Sequence, residues 1–144
     1  MRNRFLNCVL IIMMLALSGC ISQYNKPNPL VLERFDLGKV EMLLVVDVQE
    51  TKYTNFYPKD KNCEERCIHW SYWYVHEAKV LDVLKGEYSG EVIKVAMLQH
   101  ADYVKEIKKE WYVELKKFTD QDTIKKLGTD FYIENQSSEF SIKH

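Results

Sequence analysis

Residues Trp70–Leu98 read WSYWYVHEAKVLDVLKGEYSGEVIKVAML, and this stretch decides the fold. Its first half fits two patterns. Val80, Leu81 and Leu84 followed by Gly86 match a helix ended by a glycine cap. Trp73 and Val75 opposing Tyr72 and Tyr74 match a strand, whose successive side chains point to opposite faces. The second half decides between them. Gly86-Glu87-Tyr88-Ser89-Gly90 is a turn, and Glu91–Leu98 is a Val-rich run of strand type. A hairpin needs a strand on each arm, so Trp70–Leu84 is read as a strand. A bulge near Asp82 then moves its inward positions from Val80 to Val83.

Working outward, Lys39–Glu50 alternates with Val40, Met42, Leu44, Val46 and Val48 on one face. Leu43 and Val45 on the other face predict a strand covered on both sides at its middle. Glu110–Phe118 alternates again through Trp111, Val113 and Leu115. Asp120–Leu127 reads as a short helix, with Asp120 as N-cap, Ile124 and Leu127 as its apolar contact and Gly128 as its stop. Asp130–Glu134 is a last strand. Thr51–Ile68 is a long connection, and Ala101–Lys109 is a charged one with room for a helical turn. Five strands and one short helix predict an all-β, OB-like antiparallel barrel over residues 39–144.

One resemblance supports that expectation. His76–Gly86 (HEAKVLDVLKG), Gly90–Val95 (GEVIKV) and Trp111–Leu115 (WYVEL) resemble the pattern of netrin-like, or tissue-inhibitor-like, OB-fold domains. The resemblance covers about residues 70–118 and implies the barrel. The chain departs from the family between Gln99 and Glu110, which hold neither the expected Cys nor the expected Gly. The N-terminal Cys that inhibitory members direct at a catalytic metal has no free counterpart here. The fold is therefore carried over, and inhibition of an envelope or foreign hydrolase stays as an alternative function.

The chain has 144 residues, with 20 Lys+Arg against 21 Asp+Glu, enough for one domain and too balanced for a nucleic-acid binder. An aromatic content of 12% is too high for a disordered tail. There is no Gly-rich phosphate loop, no Gly-x-Ser-x-Gly and no His-Glu-x-x-His, and no carboxylate has an evident partner. No enzymatic activity is expected.

The N-terminus reads MRNRFLNCVLIIMMLALSGC. Arg2 and Arg4 precede an apolar run from Cys8 to Leu17, about ten residues, where a bilayer-spanning helix needs about 20. This is the shape of a signal-peptide core. The ending Leu17-Ser18-Gly19-Cys20 resembles the lipobox of bacterial lipoproteins. That resemblance implies removal of residues 1–19 and a diacylglycerol on the Cys20 thiol. It also implies outer-membrane delivery, since Ile21 stands where Asp would favour inner-membrane retention. Residues 20–38, with Pro27 and Pro29, are read as the acylated N-terminus and a tether. The bilayer is thus one partner, through Cys20, and the covalent lipid takes the place of any cofactor.

Cys63 and Cys67 remain for the exported domain. An oxidising compartment favours a disulfide between them, and a helix-like turn would bring their Cα atoms to about 6 Å. The alternative is a metal or redox site made of Cys63, Cys67 and His69, whose thiolates and imidazole suit copper or zinc. His76 or His100 would then supply a fourth ligand. The aromatic residues Tyr57, Trp70, Tyr72 and Tyr74 form a candidate binding surface for an envelope protein or a glycan. The reading as a whole is a lipid-anchored, non-enzymatic binding module of the bacterial envelope.

Overall fold

The computed structural model describes residues 24–58, 70–100 and 108–139. The order is a short helix α1 (Pro29–Leu32), strands β1 (Met42–Tyr53), β2 (Ser71–Lys85), β3 (Val92–His100) and β4 (Trp111–Lys117), helix α2 (Gln121–Leu127) and strand β5 (Phe131–Ser137). The strands close into a barrel in the order β1-β2-β3-β5-β4. All pairings are antiparallel except β3 with β5, where Ala96 lies opposite Tyr132 in a parallel step. This is the five-stranded OB-like barrel that the alternation predicted.

The inside is built from the expected faces. Leu44, Val46 and Val48 of β1 meet Ala78 of β2, Ile93 and Val95 of β3, and Trp111, Val113 and Leu115 of β4. Burying each of these larger aliphatic side chains contributes roughly 1.5–3 kcal/mol. The indole N–H of Trp111 donates to Gln136 Oε1 at 2.7 Å, so its burial leaves no donor unsatisfied. Along β2 the register slips between Val80 and Asp82, and again between Val83 and Lys85. The slip does what the sequence required of it: Val80 and Val83 both face the inner core, while Leu81 and Leu84 face out.

Those outward residues are covered from an unexpected source. The tether predicted for residues 20–38 is corrected from Tyr24 onward, where the chain folds back on the barrel. Asn28 caps α1, its side chain accepting from the Leu30 N–H at 3.0 Å, with Pro29 at the first helical position. Val31 and Phe35 are buried against Leu43, Val45 and Tyr112 on the outer face of β1 and β4. The Asn28 N–H donates to the Tyr112 hydroxyl at 2.7 Å, and the Tyr24 hydroxyl donates to Asp82 Oδ2 at 3.0 Å. Among the described residues α1 adds a second short helix to the one predicted. The apolar outer face of β1 recruits this lobe because its middle would otherwise be exposed to water.

The second helix follows its sequence signals. Asp120 accepts from the Thr123 N–H at 3.0 Å, and Gly128 ends the helix at φ 68°. Leu127 seats α2 on Val75 and Ala96, on the outer face of β2 and β3.

Candidate functional site

Beyond Val46, β1 leaves β4 and continues with β2 and β3 as a three-stranded extension. On its outer face Glu50 pairs across with Glu77, Lys52 with Val75, and Glu77 with Lys94. Helix α2 stands at the side of this sheet, with Lys125 and Lys126 in its last turn. Between helix and sheet lies a cleft of about 410 Å³. Four lysines line it, Lys52, Lys94, Lys125 and Lys126, against two glutamates, Glu50 and Glu77. Lys94 Nζ lies 3.4 Å from Glu77 Oε2, so this pair partly neutralises the floor. The excess of cations falls in a chain whose formal net charge is −1. Lys126 Nζ sits 4.7 Å from the centre of the Phe56 ring, which holds it over the mouth.

Tyr53, 44% exposed, borders the cleft, but its ring lies on the opposite face of the ladder from Lys52 and Val75, with Tyr72 and Tyr74. Its ring packs 5.5 Å from Tyr72, nearly perpendicular, and 5.3 Å from Tyr74. Its hydroxyl donates to Asn55 Oδ1 at 3.1 Å. Desolvation by its neighbours, then Tyr72 and Tyr74, push this phenol above its ordinary value. Tyr57 meets Tyr72 edge-on at 5.9 Å.

The predicted binding surface is thus partly assembled. Tyr57 and Tyr72 are half-buried in one cluster, and Trp70 is 69% exposed. Tyr74 is corrected: at 2% exposed it is a packing residue with no face for a ligand. Alternation along β2 puts Tyr74 on the side of His76 and Ala78, which closes over the barrel interior. Tyr53 completes the aromatic cluster, opposite Tyr74 in the β1–β2 ladder.

His76 is a core residue, 3% exposed, set edge-on to Trp111 at 5.4 Å between centroids. Its Nδ1 lies 2.9 Å from Thr51 Oγ1, while Nε2 meets no hydrogen-bond partner. Burial first, and the Lys108 charge second, lower its pKa to about 4. The ring is held neutral inside the barrel. His100 lies at the surface beside Ser71 Oγ, at 3.1 Å. Cys20, Cys63, Cys67 and His69 lie outside the described residues. Among the described residues no three His, Cys, Asp or Glu side chains converge as a metal site, and no helix is long and apolar enough to cross a membrane.

No family model, curated protein or solved structure matches the chain. The reading of the site therefore rests on its own geometry.

Proposed function

We propose that the protein is a lipid-anchored, non-enzymatic binding module of the bacterial outer membrane, and that it holds an extended acidic glycan in the cleft between α2 and the β1–β2–β3 face. The single observation behind this reading is the composition of the cleft. Four lysines outnumber two glutamates along it. Lysines match carboxylates or sulfates on a chain. OB barrels offer oligosaccharides and other extended chains this same strand 2–3 surface between flanking loops. The anchor is the lipid on Cys20, and a Cys63–Cys67 bridge braces the loop that leads into Trp70.

Titration calorimetry on the full exported chain tests the reading, with an oligogalacturonate as the acidic probe and a neutral cello-oligosaccharide of equal length. The acidic chain is expected to bind and the neutral one not to. Replacing Lys125→Gln together with Lys126→Gln should weaken binding about fivefold, as two exposed charge contacts of ~0.5 kcal/mol each would. Equal binding of both glycans, or binding of neither, overturns it.

A further inference from the structure

We propose that the flank of the barrel formed by residues 24–40 rests on the bilayer that holds Cys20, with Leu30 and Leu37 against the lipid and the cleft at the far end. This rests on the lipid-anchor reading above. The argument is one of chain length. Only Ile21, Ser22 and Gln23 separate Cys20 from Tyr24. Four residue steps reach at most about 14 Å when fully extended. The acylated thiol sits at the edge of the hydrocarbon, and the headgroup layer above it takes up roughly 5–8 Å of that reach.

Tyr24 has no slack of its own to add. Its hydroxyl is bonded to Asp82 on β2, and four residues later the Asn28 N–H is bonded to Tyr112 on β4. Val31 and Phe35 then lock the lobe down. A tether running to residue 38 would have let the barrel float well clear of the headgroups. A chain fixed from Tyr24 brings this flank against them.

The lobe is suited to that position. Leu30 is 57% exposed and Leu37 is 45% exposed, two of the large apolar side chains the barrel leaves in solvent. Its outward charges nearly cancel: Lys26, Arg34 and Lys39 stand with Glu33 and Asp36, and Lys39 Nζ is paired to Asp36 Oδ2 at 3.0 Å. The seating therefore comes from the short chain and from apolar contact, and does not depend on anionic lipid. Along β1, Val45 lies under the lobe and Lys52 lines the cleft. Seven residues of strand separate them by about 23 Å. The cleft thus lies beyond the seated flank, at the other end of the strand.

The test uses the full-length lipidated protein in vesicles of phosphatidylethanolamine, with and without phosphatidylglycerol. A benzophenone amino acid replaces Leu30, Leu37 or Lys125 in turn, and phospholipid adducts are read by mass spectrometry after illumination. Positions 30 and 37 are expected to give several-fold more adduct than position 125, with either vesicle. Similar adduct at all three positions, or adduct that appears only with phosphatidylglycerol, overturns the seating while the diacylglycerol mass on Cys20 leaves the anchor standing. Absence of that mass from Cys20 overturns the anchor itself, and the seating with it.

Discussion

Thr51 Oγ1 lies 2.9 Å from His76 Nδ1 inside the barrel, and among the described residues this is the one hydrogen-bond partner of an imidazole packed edge-on to Trp111. A buried neutral ring must be charged before acid can unfold it freely. The unfolded chain protonates His76 near pH 6.5 and the folded chain only near about 4. Between these values the unfolded state binds more protons, so stability falls as pH drops. A gap of this size corresponds to at most about 3 kcal/mol. Urea unfolding of wild type should lose stability from pH 6.5 down to 4. His76→Gln keeps a donor near Thr51 but cannot titrate, and its loss over the same window should be smaller by up to that amount. Parallel pH curves for the two proteins would place the acid sensitivity elsewhere.

The lobe over β1 is held in part by the hydrogen bond from the Asn28 N–H to the Tyr112 hydroxyl. Tyr112→Phe removes the acceptor for the Asn28 N–H without changing the ring that packs on Val31 and Phe35. The expected loss is about 1–2 kcal/mol, because the donor is left partly buried. Amide exchange should quicken at Val31 and Phe35 and stay unchanged in β3. Unchanged exchange in the lobe would mean that the apolar contacts alone hold it.

Much of the barrel was legible because strands state their faces in sequence. The Val80-to-Val83 shift could be read without any partner strand, since Leu81 and Leu84 had to leave the inner face for the alternation to resume. Asp120 and Gly128 marked α2 by residue chemistry alone. The lobe was not legible in the same way. PNPLVLERF contains two prolines and few periodic positions, and its reason for folding lies in Leu43 and Val45, which carry a demand for cover but no indication of what meets it. The cleft is less visible still. Lys52, Glu77 and Lys94 come from three strands and become neighbours only through the ladder register. Tyr74 failed as a surface residue for the same reason, since its burial depends on how the barrel closes around it.

Two glycines with left-handed backbone separate strain from crowding. Gly128 at φ 68° has open space where a Cβ would stand, so Gly128→Ala should cost about 1 kcal/mol of backbone strain alone. Gly86 at φ 81° would place its Cβ 2.7 Å from the Glu41 carbonyl oxygen and 3.2 Å from Met42 Cα. Backbone cannot swing aside as a side chain can, so Gly86→Ala should cost more than Gly128→Ala by about 1 kcal/mol or more. Denaturation midpoints of the two variants decide it. Equal losses would mean that the β2–β3 turn yields without disturbing Glu41.

Tyr53 and Tyr74 pack ring to ring at 5.3 Å, yet their exposures of 44% and 2% assign them different work. Tyr74→Ala empties a buried position and should cost about 3 kcal/mol of stability. Tyr53→Ala removes a ring that is already half in water, so its stability loss should be a small part of that. If the cleft holds the glycan as proposed, neither ring touches it, since both lie on the face of the ladder opposite to Lys52. Tyr53→Ala and Tyr74→Phe, which keeps the core filled, should both keep the oligogalacturonate affinity, while Lys125→Gln with Lys126→Gln weakens it about fivefold. Calorimetry of these variants beside their unfolding curves checks this. A Tyr53→Ala protein that has lost most of its affinity would move recognition from the lysines to the aromatic face.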